Sequence, residues 1–212
     1  MGKNRNIGWV MAMVLFCPAV KGQSRSYDIC VYGATSAGVI AAYTAKMMGK
    51  SVVLVDPGRH IGGLSSGGLG MTDIGNKYVV TGLALDFYRR MGRHYGRLES
   101  WIFEPHVARE VFEQYIREAR LEVWMGRSLR DVHKGKGKIM DIGLGDTTGH
   151  VSRVEAKVFI DCSYEGDLMA AAGVSYVVGR ESNEDYHETY NGVQLLNKNQ
   201  LPDSVDPYKV PG

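Results

Sequence analysis

Hydrophobic positions fall along this chain in blocks of different period, and each block predicts a different element. Ile7 to Val20 is almost uninterrupted apolar sequence behind Lys3 and Arg5, and Lys21-Gly22-Gln23-Ser24 returns to polar chain. A positive start, a short apolar run and small residues at Val20 and Gly22 predict a secretory signal peptide over residues 1–22. A membrane anchor is the other reading, but the run falls short of the ~20 residues a spanning helix needs. Cys17 follows the bulky Phe16, which argues against lipidation.

Tyr27–Tyr32 is a short β-favouring run, followed at once by Gly33-Ala34-Thr35-Ser36-Ala37-Gly38 and a helical stretch to Met48. Gly49 stops that helix as a C-terminal cap would. Ser51–Val55 is a second apolar strand, ending in Asp56. Phe103-Glu104-Pro105 opens a helix with Pro in its first turn. Ala108, Val111, Phe112, Tyr115 and Ala119 then recur at the spacing of one core-facing stripe. Leu121–Met125 reads as a strand, and Arg127–His133, Lys138–Leu144 and Val151–Ile160 as three more, set apart by Gly-containing turns. They predict a β-meander inserted before the last parallel strand. After Gly179 the period is lost, and residues 180–212 are polar with Pro202, Pro207 and Pro211.

Composition changes this picture little. Of 212 residues, 44% are hydrophobic and 23% charged, ordinary globular values that exclude wholesale disorder. The formal charge of +2 falls to −1 once Lys3, Arg5 and Lys21 leave with the leader, so no nucleic-acid surface is expected. Cys30 and Cys162 remain, both in strand-like stretches where free buried thiols are the simpler reading. The chain has no C-x-x-C and no His/Cys cluster, so no metal is expected.

Strand, glycine turn, helix, strand and acid together form a βαβ unit of the dinucleotide-binding kind. Gly33 permits the tight turn out of the strand, and Gly38 with Ala41, Ala42 and Ala45 keeps one helix face small. The helix start, from Ser36 and Ala37 onward, favours an anionic pyrophosphate. Asp56 is placed to accept hydrogen bonds from ribose hydroxyls. Thr35 replaces the usual middle glycine, and its hydroxyl offers a hydrogen bond in return. Thr44-Ala-Lys-Met-Met-Gly49-Lys50-Ser51 imitates a phosphate loop, but it lacks the first glycine and leads from helix to strand, so it is rejected.

Asp56-Pro57-Gly58-Arg59-His60-Ile61-Gly62-Gly63 places a glycine pair after the acid, and Leu64-Ser65-Ser66-Gly67-Gly68-Leu69-Gly70-Met71-Thr72-Asp73 continues it. Here the chain resembles the FAD-dependent oxidoreductases of the glutathione-reductase-like superfamily. It is most similar to bacterial flavoproteins related to the flavin subunit of heterodisulfide reductase. Leu83–Arg90, Phe103–Ala108 and Asp161-Cys162-Ser163-Tyr164-Glu165-Gly166-Asp167-Leu168 carry the resemblance further. It implies a Rossmann-like FAD-binding domain: a central parallel sheet with helices and an inserted antiparallel meander, incomplete in this chain. Residues 1–22 would be leader, 23–180 the FAD-binding portion and 181–212 a linker or the start of a substrate domain.

The resemblance also implies a site. FAD would be held by Gly33, Thr35, Ser36, Ala37, Gly38, Asp56, Pro57, Arg59, Gly62, Gly63, Ser65 and Ser163, and by the backbone of Leu129 at the adenine. The Gly-rich run 62–70 would let flavin and pyrophosphate approach bare backbone; a flexible surface loop is the other reading. Arg59 either faces phosphate or is simply exposed, and Asp167 either caps its helix or reaches the cofactor. Tyr164 stands where relatives commonly have glycine. Thr72 and Asp73 would be flavin-side neighbours, and no acid or base is assigned; His60 and His106 are read as bystanders. The implied activity is hydride transfer between a small-molecule substrate and flavin, in an exported (periplasmic or secreted) protein with no stable membrane insertion. An NAD(P)-binding oxidoreductase domain and a non-catalytic cofactor-binding remnant are the alternatives.

Overall fold

The computed structural model describes residues 24–188, and the expected leader lies outside them. The first strand, β1 (Ser24–Tyr32), leads through α1 (Ser36–Met47) into β2 (Val52–Asp56). The path then runs through α2 (Gly63–Gly67), α3 (Gly82–His94) and α4 (Pro105–Ala119) to β3 (Glu122–Met125). Next come β4 (Ser128–Gly135), β5 (Lys138–Gly145), β6 (Val151–Asp161) and the short α5 (Asp167–Ala171). The strands make one sheet in the order β3-β2-β1-β6-β5-β4. Pairing is parallel from β3 across to β6 and antiparallel from β6 to β4. This is a Rossmann-like α/β sheet with an antiparallel flank.

The flank corrects the expected meander. Among the described residues no separate parallel strand follows the third meander strand, because β6 is both at once. Its eleven residues pair antiparallel with β5 over Val151–Glu155 and parallel with β1 over Arg153–Asp161. A strand of that length, at ~3.3 Å per residue, is long enough to serve two partners on opposite edges.

Alternation along the central strands divides the interior in two. Val31, Val52 and Leu54 face the layer of α1, α3 and α4, together with Val39, Met91, Val111 and Phe112. Cys30, Tyr32, Val53 and Val55 face the other way, onto Ile142, Leu144, Val154 and Leu168. Both faces are covered, which is why these strands read as unbroken apolar runs. The stripe expected on α4 is buried as expected, with Val107 added to it.

The helix α3 has no counterpart in the sequence reading, although Leu83, Phe87 and Met91 have its spacing. It is clamped to α4 by Arg90, whose Nε donates to Asp86 Oδ2 at 2.7 Å and whose Nη1 donates to Glu118 at 2.7 Å. The guanidinium also lies 4.1 Å from the ring centre of Tyr115, and the Tyr115 hydroxyl donates to the same Asp86 oxygen. Burial pushes the Asp86 carboxyl up, but the hydrogen bonds from Tyr115 and Arg90 outweigh it and hold it below its ordinary value.

Cys30 and Cys162 are free, the first buried and the second half-buried. Burial pushes the Cys30 thiol up to about 12, so almost no thiolate forms near neutrality. In the folded chain at pH 8, iodoacetamide is therefore expected to leave Cys30 unmodified, and to label it fully in guanidinium. Peptide mass spectrometry reads the difference; native labelling at the unfolded rate would contradict the burial of β1.

The compact body ends at Ala172, and residues from Gly173 belong to a second unit. The described part of that unit carries one short helix, α6 (Asn183–Tyr186), whose first turn is capped by the Ser182 hydroxyl accepting from Glu184 N–H. Most of the expected linker, 189–212, lies outside the described residues.

Candidate cofactor site

Three turns leave the carboxyl end of the sheet and meet there: 33–36 after β1, 57–63 after β2 and 162–166 after β6. The first two are joined by Gly62 N–H donating to Ala34 O at 2.8 Å. The first and third are joined by the Thr35 hydroxyl, which donates to Cys162 O at 2.9 Å. The second and third meet where Tyr164 packs on Gly63, and there Leu64 N–H, at the start of α2, donates to the Tyr164 hydroxyl at 2.6 Å. Each turn thus contacts both others.

Asp56 ends β2 and sets the geometry of the first two turns. Its Oδ2 accepts from Ala34 N–H at 2.5 Å and its Oδ1 from Gly58 N–H at 2.6 Å. Each carboxylate oxygen keeps a lone pair for a further donor, which is the chemistry a ribose diol needs. Asp161 does the same work in the third turn and was missed in the sequence. Its Oδ1 accepts from Ser163 N–H at 2.9 Å and from the Ser163 hydroxyl at 2.6 Å, and its Oδ2 from Met169 N–H at 2.8 Å. The Ser163 hydroxyl also accepts from Asp167 N–H, so Ser163 is engaged within its own turn. Asp167 lies in the first turn of α5, the favourable end of the helix for an acid.

The glycines need a different explanation from the one expected. Gly33 has φ 101°, and a Cβ there would lie 2.6 Å from the Cys162 carbonyl carbon and oxygen. At Gly38 it would lie 1.8 Å from Gly33 O, and at Gly70 2.0 Å from Phe103 O. The Gly62 Cβ would enter the Phe112 ring at 2.2 Å, and that of Gly63 would meet the Tyr164 hydroxyl at 2.1 Å. These positions are bare because the chain's own atoms fill them. Nor is the run 62–70 an open loop, since Gly63–Gly67 is one short helix.

Two further expectations are revised. The Thr35 hydroxyl is committed inside the chain: besides donating to Cys162 it accepts from Gly38 N–H at 3.2 Å, capping α1. Leu129 N–H, expected at the adenine, instead donates to the Tyr32 hydroxyl at 3.1 Å. Burial pushes that phenol up, as do Asp167, Asp56 and Asp161, against the pull of the Leu129 N–H. A tyrosine ending β1 gives no signal in sequence that its hydroxyl will reach a residue 97 positions on.

The remaining expected residues surround the junction. Ser36 and Ser65 are half-buried, and Ala37, Pro57 and Arg59 are exposed. Ser66 is buried, donates to Ile61 O and lies 3.0 Å from His60 Nε2. Thr72 N–H donates to Trp101 O at 3.0 Å, joining two loops outside the junction. His106 faces His94 edge-on at 6.4 Å. A separate cleft of about 390 Å³ between α3 and α4, lined by Arg90, Arg93, His94, Glu110 and Gln114, shares no residue with the three turns. Among the described residues no His/Cys/Asp/Glu cluster is arranged for a metal.

The donor set fits an anionic dinucleotide. The twelve-residue α1 starts at the junction with no acid in its first turn. Its first N–H groups, at Ser36 and Ala37, have no carbonyl one turn back to bond to, and Asp56 is bonded to Ala34 just before them. Fold and junction together define a dinucleotide-binding α/β domain.

The family model described as FAD dependent oxidoreductase matches residues 28–209, and the chain belongs to that family. FAD is the cofactor this membership assigns to it. None of the curated proteins matches the chain. Among solved structures it is similar to L-proline dehydrogenase from P. horikoshii, at TM-score 0.54 and 11% identity, covering 75% of this chain and 59% of that one. It is also similar to a flavoprotein/dehydrogenase from Cytophaga hutchinsonii, at TM-score 0.53 and 15% identity, covering 74% and 44%. A flavin-dependent brominase follows at TM-score 0.51 and 18% identity, covering 71% and 41%. The chain spans 59% or less of each of these three, and at such identities the likeness is one of fold.

Proposed function

We propose that this chain is the FAD-binding portion of an exported oxidoreductase, of the glutathione-reductase-like kind, that exchanges hydride with a small organic substrate. The observation that carries the reading is the meeting of the three turns at the start of α1, in a chain whose family is FAD-dependent. When bound, FAD supplies the two-electron redox chemistry. The chain's own part is to bind and orient. Asp56 would accept from ribose hydroxyls, and the N–H groups of Ser36 and Ala37 would face the pyrophosphate. The Leu129 carbonyl would face the adenine, its N–H being held by Tyr32. Export to the periplasm or beyond is supported by the leader pattern of residues 1–22, and a nucleic-acid partner is disfavoured by the mature charge.

The test is direct. The purified chain is expected to carry or take up FAD at about one per chain, with flavin absorption bands, and to release authentic FAD on denaturation. A folded, colourless protein that ignores FAD but binds NADH would replace this reading with the nicotinamide one. A folded protein that binds neither would leave it a non-catalytic remnant.

A further inference from the structure

Tyr164, like Thr35, stands where glycine is common, and the structure has built a seat for it. Its phenol reaches from the turn after β6 onto Gly63, where a Cβ would lie 2.1 Å from the hydroxyl oxygen and 3.1 Å from Cζ. Gly63 takes φ 56° there, a conformation that disfavours any side chain. The same absent Cβ would lie 3.2 Å from Thr35 Cα, so the phenol sits where all three turns converge. The backbone that carries Tyr164 is itself fixed, since Asp161 holds the preceding Ser163 by two hydrogen bonds.

The hydroxyl is half used. It accepts from Leu64 N–H at 2.6 Å, and its own proton has no acceptor among the described residues. A phenol that receives one hydrogen bond becomes a better donor in the next, because chained hydrogen bonds polarise one another. The residue is 59% exposed, so the proton is within reach of a ligand. Among the described residues no carboxylate is bonded to it, and Asp56 and Asp161 are turned onto other groups of the chain.

We infer that Tyr164 is a binding residue for the cofactor's pyrophosphate, passing the Leu64 N–H through its hydroxyl to a phosphate oxygen. This rests on the FAD reading above. In place of the bare glycine backbone common at this position, the chain uses a neutral donor carried on a ring that also locks the second turn to the third. The ligand chemistry required is a pyrophosphate, and the flavin ring has no part in it.

The test uses the full chain, wild type and Tyr164→Phe, titrated with FAD, ADP and riboflavin and followed by fluorescence and calorimetry. Thermal midpoints are measured without ligand. Losing one hydrogen bond to a charged group is expected to raise the Kd for FAD about 10-fold. ADP, which has the pyrophosphate and no flavin, should lose the same factor. Any riboflavin binding should be unchanged, and the ligand-free midpoint should move little.

Equal FAD affinity in the variant would overturn the inference. Tighter binding would also overturn it, showing that the phenol competes with cofactor for its seat. A weaker affinity matched by a large fall in ligand-free midpoint would reduce Tyr164 to a structural clasp. If the wild-type chain folds but binds no FAD, the FAD reading fails and this inference with it; a wild type that binds, beside an unaltered variant, sinks only the role of Tyr164.

Discussion

Replacing Gly33 with alanine is expected to lower the stability of the domain by about 3 kcal/mol or more, and to take FAD binding with it. Two terms act together. Holding a residue with a side chain at a φ of 101° costs on the order of 1–3 kcal/mol. The new methyl would also stand 2.6 Å from the Cys162 carbonyl carbon and 2.7 Å from Ser163 N. Those are backbone atoms at the end of a central strand, so they cannot swing away, and overpacking of this kind costs roughly another 1–3 kcal/mol. Any shift that relieves it strains Gly33 N–H to Val55 O and Cys162 N–H to Tyr32 O, both 2.7 Å.

Gly49→Ala supplies the control. Gly49 also has positive φ, 78°, but a Cβ there would meet nothing within 4 Å. Denaturant melts should show a loss of about 1 kcal/mol at Gly49 and a clearly larger one at Gly33, at unchanged m-value. Equal losses would mean that the contact between the two turns contributes nothing.

Asp56 carries the other large effect. In Asp56→Ala the buried Ala34 N–H loses its acceptor, which costs about 1–3 kcal/mol, and Gly58 N–H loses a charge-assisted bond. The turn after β2 then has no side chain tying it to the turn after β1. FAD affinity is expected to fall at least about 100-fold, equivalent to ~2.8 kcal/mol, because the ribose acceptor and the shape of its turn go together. Asp56→Asn should recover part of the stability, since its oxygen satisfies one N–H while its amide faces the other. Titration with FAD reads the affinity and a urea melt the stability. A Kd for Asp56→Ala within twofold of wild type would remove the cofactor from this corner.

Much of the fold was legible because the signals were local. The βαβ unit was visible in apolar runs interrupted by Gly33 and Gly49, and α4 in a stripe whose members are all buried. α3 was passed over because Leu83, Phe87 and Met91 are separated by charged residues that answer partners elsewhere, as Arg90 answers Glu118. The role of β6 was missed for a geometric reason. Periodicity marks a strand, but not how many neighbours its two edges serve.

The site was legible in position more than in cause. The stretches that meet were those expected, around 33–38, 56–63 and 162–165. The reason for their glycines was different, because the atoms each glycine accommodates come from far along the chain. Phe112 fills the space at Gly62, and Tyr164 the space at Gly63. The same distance hid the Tyr32 and Leu129 pair. No composition or spacing rule connects a phenol with an N–H that becomes its neighbour only after the sheet has closed.

The position of β6 has a consequence for how this protein comes into being. The turn at Gly33 rests on Cys162, and the Thr35 cap bonds to the same residue, 127 positions later. Contacts of such separation form slowly, after a long loop has been closed. A growing chain that has produced its glycine turn and first helix still lacks the partner that shapes them, until residues 161–163 arrive beside the end of β1. Cofactor capture is therefore expected to be a late event in folding, because the first turn has no third turn to rest on until residue 163 has been made.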